Sequence, residues 1–247
     1  MSIWVAIVAP SWLLGFAGVG GTCAGGLLAV AVSHAFAVAY EARRWRNQQR
    51  KHHSAVSCDA MLLVRVASHL SHPEGLLLLV LYLVGTWYAG VLPPSYYETL
   101  GRGVSFRSVA AQLVVQDAFM YAGHRAQHYW KLRSHHAHHL IKIPDAFDAF
   151  DGSVTDTVLM ILMPFLLTAH ALKAANVTVN VYDYMCFGSL YANALFFLHS
   201  DAPHSWDNVF RRIGLGTQRE HHAHHAKPCI RFGHLLTWWD VCAGTSI

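Results

Sequence analysis

Long apolar runs alternate along the chain with short polar stretches, and two of those polar stretches are dense in histidine. Residues 3–40 carry no charged side chain over 38 positions, a length of about 57 Å if helical. One membrane crossing needs only about 20 residues, so this run is either a tight helical hairpin, the favoured reading, or one span plus an interfacial piece. Gly15, Gly18, Gly20, Gly21, Gly25 and Gly26 fit a turn near 20–21, or equally close helix packing. The block 41–53, EARRWRNQQRKHH, then turns basic. Residues 60–70 are apolar but carry Arg65 and His69, which fits a helix lying at the membrane interface. Gly75–Leu92 reads as a span closed by Pro93 and Pro94, which cannot continue a helix. Residues 108–123 predict a half-buried helix running into the first histidines. Residues 157–172 and 181–198 are two further apolar runs joined by a short polar connection. The pattern as a whole predicts an all-α fold: a polytopic membrane helical bundle.

Composition agrees. The chain of 247 residues is 54% hydrophobic and only 13% charged, about half the charged share of a soluble protein. The N-terminus has no Lys or Arg ahead of its apolar run, so it reads as a retained membrane segment rather than a cleaved leader. Five scattered cysteines without a C-x-x-C pair exclude a disulfide framework and a zinc ribbon. A basic block directly after an apolar run reads as cytoplasmic under the positive-inside rule, and nucleic-acid binding is set aside so close to the membrane. With 41–53 in the cytosol, the spans 75–92 and 108–123 leave and return, as do 157–172 and 181–198. Residues 124–139 and 199–247 then share the cytosolic side. That assignment puts 14 Lys and Arg in the cytosol and three (Arg102, Arg107, Lys173) in lumenal loops, with Arg65 unassigned.

The chemistry lies in the histidines. Ten of nineteen fall within 124–139, HRAQHYWKLRSHHAHH, and 221–225, HHAHH. His124 and His128 are one helical turn apart on one face; His135, His138 and His139 stand at i, i+3 and i+4, and His221, His224 and His225 repeat that spacing. Neutral imidazole is the commonest protein ligand of borderline metals. Eight imidazoles are too many for one four-coordinate zinc and suit two metals close together. Asp117, seven residues before His124, is placed to accept the other ring N–H of a ligand histidine. A zinc protease is excluded by the lack of H-E-x-x-H. A solvated histidine tract would lack the repeated helical spacing.

The order H-x-x-x-H, H-x-x-H-H, H-x-x-H-H among membrane runs resembles the fatty acid hydroxylase/sterol desaturase superfamily of membrane di-iron oxygenases. Supporting matches over about 108–245 are Asp117, Tyr121, His124-Arg125 and His128, then Pro144, His199, and Trp239-Asp240 with Gly244-Thr245. The resemblance implies a catalytic domain over 108–247, capped on the cytosolic side by a histidine-rich di-metal centre. Residues 1–107 would be N-terminal membrane helices, two or three spans plus the basic segment. It implies two iron ions held by His124, His128, His135, His138, His139, His221, His224 and His225, with His199 as an additional ligand and His204 a weaker candidate. Asp117 and Tyr121 are carried over as catalytic residues, and His136 and His222 as the non-ligating members of their boxes. Molecular oxygen would be co-substrate, and a b-type cytochrome or an NAD(P)H-dependent reductase the electron donor. Residence would be the endoplasmic reticulum membrane, with a lipid (sterol, sphingoid base or fatty acyl chain) hydroxylated or desaturated. The run DAFDAFDGSVTDT lacks the His-Pro-x-Glu of many sterol-acting members and looks more like sphingoid-base hydroxylases. The competing expectation is a catalytically silent membrane protein that stores or senses metal.

Overall fold

The structure, a computed structural model, describes residues 3–18, 21–50, 53–98 and 103–246. Gly20, Lys51, His52 and Arg102, which figure in the predicted turn, basic block and lumenal loop, lie outside the described residues. All described elements are helical apart from one isolated bridge between Leu215 and Leu236.

The N-terminal run forms the predicted hairpin, α1 (Ile3–Phe16) against α2 (Cys23–Gln49). Thr22 starts α2 by accepting from the Gly25 amide at 2.9 Å, an ordinary N-cap that satisfies a donor with no intrahelical partner. The helix runs on past the apolar run, and most of the basic block is its C-terminal continuation. Helix α3 (Ala55–Ser71) and α4 (Leu78–Ala89) are joined by a π-helical turn, Pro73–Leu77. Together they make one bent apolar rod rather than the predicted interfacial helix and separate span. The bend is at Gly75, where an added Cβ would sit 2.7 Å from the Phe150 carbonyl oxygen. Only glycine tolerates that close approach of two backbones.

Helix α5 (Phe106–Tyr129) is capped by Ser105 and carries the first two histidines on its last turns. The short α6 (Arg133–His138) follows. Then come α7 (Val154–Thr157), a second π-helical turn at Val158–Leu162, and α8 (Met163–Ala174). Helix α9 (Val181–Leu198) opens on a reciprocal cap between Asn180 and Asp183. It is the central post, buried along nearly its whole length and packed on α1, α2 and α5. Short helices α10 (Asp207–Arg212), α11 (Gln218–Ala226) and α12 (Trp238–Ala243) complete the chain.

Among the described residues, three stretches are long and apolar enough to cross a membrane: Cys23–Gln49, Ala55–Ala89 and Val154–Ala174. Helix α5, expected to cross, is not among them, because Gln112, Gln116 and Asp117 interrupt it with a buried polar face. The N-terminal helices and the histidine-bearing part share one core. Ile7, Trp45 and Cys58 pack in the same cluster as Phe147, Phe196 and Phe197. A buried pair, His34 of α2 and His69 of α3, meets at 2.9 Å, with His34 also bonded to Asn193 and His69 to the Phe147 carbonyl.

Candidate metal centre

The C-terminal ends of α5 and α9, the whole of α6 and the whole of α11 converge at one end of the bundle. Their imidazoles form two groups: His124, His128, His135, His139 and His224, and His138, His199, His221 and His225. Within each group the donor atoms lie within 4.8 Å of one another. All nine histidines expected to hold metal are therefore brought together, and the sharing follows a rule. In each H-x-x-H-H box the i and i+4 members enter one group and the i+3 member enters the other. His135 and His139 go to the first group while His138 goes to the second; His221 and His225 go to the second while His224 goes to the first. Neighbouring turns of a helix stack side chains at i and i+4, whereas i+3 is rotated off that line.

Ring orientation is fixed from outside. His135 Nδ1 donates to Asp156 Oδ1 at 2.9 Å. The Nδ1 atoms of His124, His138, His199, His224 and His225 donate to the carbonyl oxygens of Phe232, Asp151, Leu195, Ile230 and Ile141 at 2.6–2.9 Å. A carbonyl or carboxylate only accepts, so these six rings carry their proton on Nδ1 and turn a bare Nε2 lone pair inward. Two of those Nε2 atoms face each other, His199 and His138 at 3.3 Å, and the Nε2 atoms of His139 and His221 approach those of His135 and His199 at 2.9 Å each. Lone pairs so close repel unless a cation lies among them, and the donor set fits a pair of borderline metal ions. Burial, and then neighbouring imidazoles, hold His224 down to about 3 and His225 to about 2, so both are neutral donors at physiological pH.

One expectation is corrected. Asp117 does not touch a histidine. Its carboxylate accepts from the Leu235 and Leu236 amides at 2.9 and 2.8 Å, from Tyr191 Oη at 2.9 Å and from Trp239 Nε1 at 3.1 Å. Those four donors fill its acceptor positions, and His124 takes the Phe232 carbonyl instead. Tyr121 donates to Thr245 Oγ1 at 2.9 Å, and Thr245 donates on to Asp240. Both residues therefore brace the segment 232–245, one layer behind the histidines. His204 lies apart from both groups, its Nδ1 accepting from Arg44 at 2.8 Å and its ring stacked on Trp206. His136 is exposed, and His222 reaches only the His199 carbonyl, at 3.4 Å.

Two residues at the centre escaped the sequence reading. Asp156 stands immediately before an apolar run, a position where an isolated acid signals a buried partner. His234 gave no signal, being a lone histidine outside every box.

One narrow cavity opens on both groups. His135, His138, His199 and His234, with Asp151, Asp156 and Thr157, form its polar side, and Met120, Phe150, Met160 and Leu195 are among its apolar walls. A second cavity, almost wholly apolar, lies deeper in the bundle between α2, α4, α8 and α9, lined by Leu27, Leu79, Leu83, Phe165 and Met185 among others. Ala192 lines the deeper cavity, and Leu195, less than a turn further along α9, lines the one at the histidines.

Among known proteins, the fatty acid hydroxylase family profile matches residues 109–245. The chain is 39% identical over 183 residues to an alternative squalene epoxidase from Phaeodactylum tricornutum (strain CCAP 1055/1), a match covering 72% of this chain and 51% of that protein. The chain thus spans about half the length of the curated relative it matches. No solved structure matches. With its profile match spanning both histidine groups and the cavity between them, the chain belongs to the fatty acid hydroxylase family.

Proposed function

We propose that this protein is a membrane di-iron oxygenase that inserts oxygen into a hydrocarbon lipid on the way to sterols. The observation that carries the reading is the pair of all-imidazole groups opening on one shared cavity. His124, His128, His135, His139 and His224 would hold one iron, and His138, His199, His221 and His225 the other. Five imidazoles exceed a four-coordinate zinc site, which favours a metal of higher coordination number. When bound and reduced, such an iron pair supplies the activation of molecular oxygen.

The protein's own residues do the rest. The outward Nδ1 bonds fix six of the nine rings, so most donor positions are set before metal arrives. The apolar cavity between α2, α4, α8 and α9 receives the hydrocarbon and keeps water from it. Consecutive turns of α9 lead from that cavity to the histidines, which lets a chain reach the centre from the membrane. The deeper cavity carries no ionised side chain in its lining, which suits a substrate without a charged headgroup. The relative's name points to squalene, a polyene with no headgroup, and hence to epoxidation of a double bond rather than desaturation. The overall balance consumes one oxygen molecule, two electrons and two protons per oxygen atom inserted, with water as the other product. The electrons come from a b-type cytochrome or an NAD(P)H-dependent reductase, and the histidine end faces the cytosol from the endoplasmic reticulum membrane.

Metal analysis of the purified protein together with turnover of squalene, with oxygen and an NADPH-linked reductase, tests this directly. Two irons per chain and an oxygenated squalene are expected. Two irons with no oxygenated product from squalene, sterols or sphingoid bases would favour the storage or sensing role.

A further inference from the structure

Segment 232–236 reaches the centre under unusual restraint. Asp240 accepts from the Phe232 and Gly233 amides at 2.9 and 2.8 Å, and Asp117 accepts from the next two but one, Leu235 and Leu236. Gly216 donates to the Leu235 carbonyl at 2.9 Å. A Cβ on Gly216 would lie 2.0 Å from the His234 carbonyl oxygen, so the two backbones touch where only glycine fits. Two buried carboxylates and one glycine thus clamp five residues.

The clamped segment delivers two groups to the centre. One is the Phe232 carbonyl, which orients His124. The other is the ring of His234, which is 6% exposed. Its centroid lies 4.7 Å from that of His124 in the first group and 5.6 Å from that of His221 in the second. It belongs to neither group, yet it lines the cavity on which both open. Its Nδ1 has no hydrogen-bond partner among the described residues. Six of the grouped imidazoles have their Nδ1 pinned outward to a carbonyl or carboxylate; His234 has not, and shares that with His139 of the first group, but His234 stands outside both groups and lines the cavity. A buried ring nitrogen without a partner is rare in folded proteins and calls for a ligand.

We propose that His234 is the binding residue for a small oxygen-bearing or anionic ligand, of the class of water, hydroxide or azide, held in the cavity between the two histidine groups. The assignment rests on the metal-centre reading, because that ligand would also touch the metals. Its role is to hold and orient the ligand by a hydrogen bond rather than to ligate iron.

Azide is the probe. Iron-loaded wild type, His234→Leu and His234→Gln are assayed for iron per chain and titrated with azide, following its absorption band on the metal. All three are expected to carry two irons. Azide affinity falls about tenfold in His234→Leu, the loss of one hydrogen bond to a charged group, and is largely kept in His234→Gln, whose amide can still donate. His234→Val replaces the Leu variant should that one fail to fold. Wild-type azide affinity in the apolar variant overturns the assignment and leaves His234 a mere wall. Loss of iron in both the apolar and the Gln variant overturns it differently, by making His234 a ligand. A wild-type protein that takes up no iron sinks the metal-centre reading and this assignment with it.

Discussion

The two histidine groups are built from the same two short helices yet are not equivalent. Helices α6 and α11 give each group three imidazoles, two from one box and one from the other. The asymmetry comes from the long helices. Helix α5 adds two histidines a turn apart to the first group, whereas α9 adds only His199, at its C-terminal end, to the second. The supports differ as well. The first group includes the one carboxylate contact, Asp156 on His135, while the second rests on backbone carbonyls alone. A carboxylate partner makes its imidazole a stronger donor. On the proposed metal-centre reading, the first group would therefore be the firmer metal site. The second, with one donor fewer, is the more open and the more easily emptied.

The largest effect expected from that difference is on metal content. His199→Ala leaves three imidazoles in the second group, whereas His128→Ala leaves four in the first. The His199 variant should carry about one iron per chain and have no turnover. The His128 variant should keep close to two, with reduced turnover. Equal losses in the two variants, measured by elemental analysis, would break the comparison.

Asp156→Ala is next in size. Removing the carboxylate frees the His135 ring to turn and lowers its basicity, for which a loss of about ten- to hundredfold in metal affinity is typical. The loss should fall on the first group's metal alone, bringing it level with the second. Timed removal by a chelator reads this out. Wild type should lose its metals in two phases and the variant in one.

How the asymmetry arises was only half legible beforehand. The spacing of His124 and His128, and of each H-x-x-H-H box, is a local property of a helix and could be read from sequence. The crossing of each i+3 member to the other group depends on how α6 and α11 approach one another, which no single helix encodes. Asp117 fails for the same reason. A turn count along α5 put it near His124, but the donors that claim it come from residues 235, 236 and 239, more than a hundred positions away. The hairpin over 3–40 was the favoured of two readings of its length, since its glycines suit a turn and close helix packing alike. The bend at Gly75 was not, since it is imposed by Phe150 pressing from the far side of the sequence.

The smallest effect concerns the turn that follows His199. Arg44 of α2 donates to Ser200 Oγ and to the carbonyls of Ala202 and Pro203, and to His204 Nδ1, so one guanidinium holds residues 200–204. Burial, then the charge of Arg44, pulls His204 down to about 3 from an ordinary 6.5. As pH falls, the unfolded chain takes up this proton first. The stability it represents is complete above about 6.5 and is lost progressively towards about 3, reaching about 2 kcal/mol at pH 5. His204→Gln keeps an acceptor for Arg44 and cannot titrate. Between pH 7 and 5 wild type should therefore lose up to about 2 kcal/mol more stability than the variant in denaturant titrations. Because the turn directly follows His199 of the second group, acid should also empty that group before the first in wild type, and less selectively in the variant. If wild type and His204→Gln shed the second metal at the same pH, Arg44 and His204 play no part in making it the weaker site, and the donor count alone accounts for the difference.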